Sequence, residues 1–334
     1  MRPVVEAQYL VADLDGTLRA LALAPGACHS VHGMERAMAM VRTASADALR
    51  GAGVEPTALA VIYAGLTGAD WPDEYEALAR EVRALGLCER VVIKNDSIIA
   101  LRGGTYEAFG AVLICGTGGN CAICAPDGRE FVYGYFHDQD LQGGGALAVR
   151  TLNAVFRAAT GREAETRLTE ALLALYGQPT VAALCEAYFA NRLPNLAPIP
   201  PLLFKLAREG DGVARKVVGA FAEGCAELLT AGLRRLHMCP LELDVVFSGS
   251  VFKGDGSLLA AEIAERVRPV APGARFVNAR YEPVVGAVLL GLQHLGVGSD
   301  PALRDRIEAG ARRLGLLRLE AGALAPATDA PTVA

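Results

Sequence analysis

A chain of 334 residues, 52% hydrophobic, 21% charged and 6% aromatic, is long enough for two globular domains with sizeable cores. Its net charge of -5, with no run of five or more basic residues, excludes a nucleic-acid surface and leaves small polar ligands as the expected partners. No apolar segment reaches the roughly 18 residues a membrane helix needs, and residues 1–10 lack the order of a signal peptide, so the expectation is a cytoplasmic protein with no membrane partner.

The chain opens with a strand over 9–12, an acidic tip Asp13-Leu14-Asp15-Gly16-Thr17, and a returning strand over 18–23. A loop over 24–33 leads to a helical pattern over 34–49. A strand over 58–63 ends in the polar loop GLTGADWP, and a helix follows over 74–85. The strand over 90–93 delivers Lys94-Asn95-Asp96-Ser97 to a short helix through Leu101. These elements predict one mixed α/β layer ending near Gly103-Gly104.

The pattern then restarts with AVLICGTGGNCAIC (111–124), two short apolar runs around a glycine-rich turn, which reads as a β-hairpin. Gly116, Gly118 and Gly119 let the backbone approach a ligand closely. Consecutive turn N–H groups form a concave anion site, to which the Thr117 hydroxyl adds a donor; an ordinary hairpin turn has the same composition. From 143 to about 238 the reading is nearly all helix, the clearest over 212–237 with Val213, Val217, Phe221, Cys225 and Leu228 on one stripe. A buried strand over 243–247, the loop SGSVFKGDGS, helices over 258–267, 284–295 and 301–314, and a short strand at 276–277 complete the domain. The tail 321–334 has the composition of a disordered segment.

Eight cysteines run from Cys28 to Cys239, and Cys121 and Cys124 have CxxC spacing. Strand alternation puts those two on opposite faces, and no second CxxC or His pair accompanies them, so both read as core residues. His29 and His32 flank a loop and read as solvated rather than metal-binding. The lone Trp71 is expected to pack on the start of the helix after Pro72. Asp70 sits at a strand exit, where it either touches substrate or caps that helix.

Five pieces stand in order: the D-x-x-G-T hairpin, the strand-end Asp of NDSIIA, the turn GTGGN, the loop SGSVFK, and PVVGA opening an apolar helix. Together they resemble the actin/hexokinase/Hsp70-like kinase superfamily and, within it, the N-acetylglucosamine kinase and BadF/BcrA-type ATPase group, over roughly residues 8–296. The resemblance implies an α/β protein of two ribonuclease-H-like domains with a nucleotide cleft between them. The first would span 1–104, and the second, helix-rich, 105–320, its last helix packing back on the first. It implies ATP and Mg²⁺ as cofactors, a sugar or amino sugar as substrate, and a homodimer.

Carried onto this chain, the resemblance gives Asp13, Gly16 and Thr17 the first phosphate motif, with Asp13 holding Mg²⁺ through water. Gly116, Thr117 and Gly118 take the second phosphate motif, and Gly249 and Ser250 the adenosine loop. Asp96 takes the proton from the acceptor hydroxyl. Gly119, Asn120, Gly134, Tyr135 and Asp140 face the sugar, and His137 is a further candidate for the cleft.

The chain departs from that pattern at three places. The first motif of the family reads D-G-G-G-T-K-T, and here Leu14 and Asp15 replace two glycines, putting a second carboxylate where phosphate should pass. The family's G-W-G-H and G-D-E-G-S run becomes Gly134-Tyr135-Phe136-His137 and then Asp138-Gln139-Asp140-Leu141-Gln142-Gly143-Gly144-Gly145, where Asp140 substitutes for the acidic pair only with a shift. Cys28 stands at the family's Asn. These changes also fit a catalytically silent ATP-binding sensor. DLDGTL is, besides, the opening signature of haloacid-dehalogenase-like phosphatases, with Asp13 as nucleophile and Asp15 as acid/base. Ser248 and Lys253 could fill two more of that family's roles, but the strand at 276–277 runs into Asn278 instead of an acidic pair.

Overall fold

A computed structural model describes residues 6–318 apart from 27, 137, 139, 140, 254 and 255, so the tail 321–334 lies outside the described residues. The alternating apolar residues of the first stretch pair as an antiparallel hairpin, β1 (Glu6–Ala12) with β2 (Leu18–Pro25). A register shift between Val11 and Ala12 bends the ladder just before the acidic tip. A one-turn helix α1 (His29–His32) precedes α2 (Met34–Ala52), which Gly53 ends in the left-handed conformation at φ 64°.

β3 (Ile62–Leu66) starts later than the apolar run predicts, because Pro56–Ala58 form a 3-10 turn. It pairs in parallel with β4 (Val91–Asn95), Ile62 opposite Val91 and Leu66 opposite Asn95. Both strands therefore end on the same rung, which brings the next residues, Thr67 and Asp96, side by side. α3 (Pro72–Arg83) leaves β3, and α4 (Asp96–Arg102) leaves β4.

The second half is built on a five-stranded sheet in the order β7-β6-β5-β8-β9. β5 (Gly110–Cys115) and β6 (Gly119–Cys124) form the expected hairpin, β7 (Glu130–Val132) extends it antiparallel, and β8 (Leu243–Ser248) and β9 (Ala274–Asn278) add in parallel. Period-two alternation separates the faces. Ala111, Leu113, Cys121 and Ile123 meet the helices, while Val112, Ala122, Cys124 and Val246 meet α4. Cys121 and Cys124 thus lie in different cores, and burial pushes the Cys124 thiol up to about 12.

The helical layer comprises α5 (Gly143–Ala159), α6 (Leu168–Tyr176), α7 (Val181–Phe189), α8 (Ile199–Arg208), α9 (Gly212–Arg235) and α10 (Ser257–Val267). Asp211 starts α9 by accepting the Ala214 N–H at 2.8 Å. The face α9 buries is wider than the predicted stripe, taking in Ala214, Val218, Ala222, Leu229 and Leu233 while Val217 stays partly exposed.

The single mixed layer expected for the first half is in fact two two-stranded sheets, β1-β2 and β3-β4. Late helices fill the space around them. α11 (Pro283–His294) crosses α4 at Gly286, where a Cβ would stand 1.9 Å from the Ile99 carbonyl oxygen. α12 (Pro301–Arg313) returns to the first hairpin and buries Leu18 with Leu303, Ile307 and Ala311. Among the described residues, no helix is long and apolar enough to cross a membrane.

Candidate active site

The common end of β3 and β4 carries the first group of polar side chains. Thr67 Oγ1 donates to Asp96 Oδ2 at 2.8 Å. Asn95, not Asp96, caps α4: its Oδ1 accepts the Ser97 N–H at 2.9 Å and the Ser97 hydroxyl at 2.5 Å. The Asp96 carboxylate is thereby released from capping and left half-buried at the first helical position. Burial raises its pKa, against the Thr67 hydroxyl and the N–H groups of Ser97 and Asp96, which lower it.

Asp70 belongs to the same group. Its Oδ1 accepts from Asn95 Nδ2 at 2.8 Å, and the other Asn95 N–H goes to the Ala69 carbonyl at 3.0 Å. Asp70 does not cap α3. Glu74 Oε2 reaches back instead to the Asp70 and Trp71 N–H groups, at 2.8 and 2.9 Å. Burial first, then repulsion from Asp96 and Glu74, raises the Asp70 pKa. Trp71 stands at the N-cap of α3, and its ring meets Phe136 edge-on, with centroids 5.5 Å apart. Cys28 Sγ donates to the Thr67 carbonyl at 3.2 Å, and His29 Nε2 lies 4.0 Å from Glu74 Oε1.

The hairpin β5–β6 brings Asn120 to this group. Asn120 Nδ2 donates to Asn95 Oδ1 at 3.3 Å, and its Oδ1 accepts from the N–H groups of Cys121 (2.8 Å) and Gly134 (3.2 Å). Gly134 has φ 49°, and a Cβ there would stand 2.9 Å from Asp70 Cβ. The side chain of Tyr135, and His137 and Asp140 as whole residues, lie outside the described residues.

A second group is a cradle of backbone. The Gly116 N–H donates to the Gly118 carbonyl at 2.9 Å, closing the turn, and the Gly144 N–H donates to the Gly116 carbonyl at 2.7 Å, docking the start of α5 beneath it. A Cβ at Gly119 would stand 2.8 Å from the Leu141 carbonyl oxygen, and one at Gly249, at φ 110°, would press on the Cys115 carbonyl. Only glycine allows these approaches. Thr117 and Gly118 stand exposed on top of the turn, and Ser250, also exposed, begins the 3-10 turn after β8.

The acidic tip is the third group, and its polar contacts run elsewhere. Asp13 Oδ2 takes both Arg19 Nε (2.6 Å) and Arg19 Nη2 (2.5 Å). Asp15 Oδ1 accepts the Thr17 N–H at 2.9 Å; Arg306 of α12 donates to the Asp15 carbonyl at 2.6 Å and lies 3.7 Å from its Oδ2. The Thr17 N–H and hydroxyl, then Arg306 and Arg19, hold the Asp15 carboxyl below its ordinary value. The extra carboxylate is thus accommodated by a cation from the other end of the chain. Gly16 is buried under Leu303, where a Cβ would stand 2.9 Å from Leu303 Cγ.

Sequence reasoning had assigned no role to Thr67, Asn95, Arg19, Arg306 or Gly143. Asn95 alone carried a local signal, since Asn before a short helix is as good a cap as Asp.

The chain is similar to known proteins over most of its length. A model of the BadF/BadG/BcrA/BcrD ATPase family matches residues 10–291. An N-acetylmuramic acid/N-acetylglucosamine kinase of Clostridium acetobutylicum is 28% identical over 233 residues, 69% of this chain and 76% of that protein. The fold is shared with a candidate N-acetylglucosamine kinase from Chromobacterium violaceum, at TM-score 0.62, 24% identity, and coverage of 87% of this chain and 96% of the other. It is shared also with a ROK family glucokinase from Streptomyces griseus solved with glucose and AMPPNP, at TM-score 0.55, 18% identity, and coverage of 87% and 95%.

Proposed function

The chain belongs to the BadF/BadG/BcrA/BcrD ATPase family, and from that premise we propose that it is an ATP-dependent kinase that transfers the γ-phosphoryl group to a hydroxyl of a sugar or amino sugar. The observation that carries this reading is Asp96, half-buried, freed from capping by Asn95 and fixed by Thr67. The hairpin that holds Asn120 against Asn95 also holds the Gly116–Gly118 turn.

Phosphoryl transfer asks for positioning and charge neutralisation more than for covalent chemistry. Asp96 orients the acceptor hydroxyl and takes its proton. Thr117 and Gly118, exposed at the tip of the turn, would offer their N–H groups and the Thr117 hydroxyl to phosphate oxygens. Asp13 and Asp15 are oxygen ligands suited to Mg²⁺, and Asp13 would hold it through water once Arg19 gives way; bound there, the ion would supply neutralisation of phosphate charge. Gly249 and Ser250 line the adenosine side. Gly119, Asn120 and Gly134 form the wall facing the acceptor. The same protein would work as a homodimer in the cytoplasm.

The Arg19 and Arg306 contacts at the first tip favour one other reading, a nucleotide-binding protein without transfer. ADP release from ATP and Mg²⁺ across a panel of hexoses and amino sugars separates the two. Release that depends on one sugar supports the kinase; ATP binding with no release assigns the silent form. Hydrolysis of p-nitrophenyl phosphate with beryllofluoride trapped on Asp13 would assign a phosphatase instead.

Thr117→Val tests the cradle. It removes one donor to a charged oxygen, so nucleotide affinity should fall by roughly 10–100-fold, about 1.5–3 kcal/mol. Calorimetry with ADP in millimolar Mg²⁺ measures this, and an unchanged affinity removes Thr117 from the site.

A further inference from the structure

The wall of the acceptor site is joined to Asp96's strand by one directed chain of hydrogen bonds. Asn95 Nδ2 donates to Asp70 Oδ1 (2.8 Å), Asn120 Nδ2 donates to Asn95 Oδ1 (3.3 Å), and the Gly134 N–H donates to Asn120 Oδ1 (3.2 Å). The direction is forced by the groups at its ends. A carboxylate and the Ala69 carbonyl only accept, so Asn95 must turn its amide nitrogen to them. Its oxygen then faces Asn120, which must present nitrogen to Asn95 and oxygen to the Cys121 and Gly134 N–H groups, both of them only donors. The chain also closes on itself in space, since Gly134 packs directly against Asp70. Asn95 is 1% exposed, so an unpaired N–H there has no water to turn to.

We infer that Asp70 is a positioning residue of the acceptor site: as the accepting end of this chain it orients Asn95 and, through it, Asn120, and holds the 134–136 segment against the β3–α3 loop beside Asp96. The Trp71–Phe136 contact spans the same seam and reports on it, Trp71 being the chain's single tryptophan. The inference rests on the kinase reading for its catalytic meaning but not for its geometry, so its test begins without substrate.

Two variants separate the roles. Asp70→Asn keeps an accepting oxygen of the same shape, whereas Asp70→Ala removes it. Hydrogen exchange, followed by mass spectrometry on the full chain, should show the amides of the 133–136 segment exchanging about tenfold faster in Asp70→Ala, the equivalent of one hydrogen bond. Asp70→Asn should match wild type, as should α9 in both variants. Acrylamide quenching of Trp71 should rise in Asp70→Ala alone. Where a sugar acceptor has been found, its KM should rise about tenfold in Asp70→Ala, with ADP affinity unchanged and Asp70→Asn largely rescued.

Unchanged exchange at 133–136 in Asp70→Ala overturns the inference. Equal losses in the two variants overturn it too, since charge and not the accepted hydrogen bond would then matter. A loss spread into α9 makes Asp70 a residue of folding and not of the site. If no sugar supports turnover in wild type, the kinase reading fails, and the exchange and quenching results still decide the role of Asp70.

Discussion

Asp96→Asn is expected to lower turnover on a sugar acceptor by about 10²–10⁴-fold, the usual cost of removing a general base. The substitution is nearly isosteric and leaves the rest of the site intact. Asn95 still caps α4, and Thr67 Oγ1 can still donate to the amide oxygen. Nucleotide affinity and the urea midpoint should therefore barely move. The same residue predicts the acid limb of the pH profile. Burial raises the Asp96 pKa above its ordinary 3.8, and a base works only when ionised. kcat/KM should then fall as pH drops through that raised value, at a higher pH than an exposed carboxylate would give, and the limb should vanish in Asp96→Asn. Full turnover in the variant removes the central residue of the kinase assignment.

Gly143→Ala should have the second large effect, on the phosphate turn. Gly143 has φ 67°, and a Cβ there would stand 2.2 Å from the Gly118 carbonyl oxygen and 2.6 Å from that of Gly116. Both obstacles are backbone, so relief requires the turn to move. The left-handed conformation alone costs about 1–3 kcal/mol in a residue with a side chain. The urea midpoint should fall accordingly, and ADP affinity should drop at least tenfold as the turn is displaced. Gly145→Ala is the control, because its Cβ would meet only the Thr117 carbonyl at 3.5 Å, an ordinary contact. If Gly143→Ala binds ADP as wild type does, the turn does not hold the phosphates.

What the sequence made legible follows from how far apart the contacting residues lie. The β5–β6 hairpin was readable because its signals are local: two short apolar runs around a glycine-rich turn. Asp96 stood out by position at a strand exit, but its role as against Asn95 did not. Both residues cap well, and the choice fell to Asn95 because β4 stays extended through it, at φ -66° and ψ 149°. Thr67 was invisible because it meets Asp96 through the parallel register of two strands 29 residues apart. The start of β3 was misplaced by the apolar run at 58–61, which Pro56 diverts into a 3-10 turn. The tolerance of Asp15 was beyond any local reading, since the cation that balances it comes from 291 residues away.

That last contact bears on how the protein is made. The β1–β2 hairpin leaves the ribosome well before α12, whose Leu303 and Ile307 lie against Gly16 and share a core with Leu18. At about 5–20 residues per second, synthesis keeps the hairpin waiting roughly 15–60 s for its partner. Through that interval Leu18 lacks its α12 cover and Asp15 lacks the Arg306 cation, a stage at which chaperones and proteases have access to the nascent chain. The half built on the five-stranded sheet, whose hairpin turn, helix layer and parallel strands are all encoded between β5 and β9, has no such delay. The hairpin, made before the five-stranded half, is thus completed only after it.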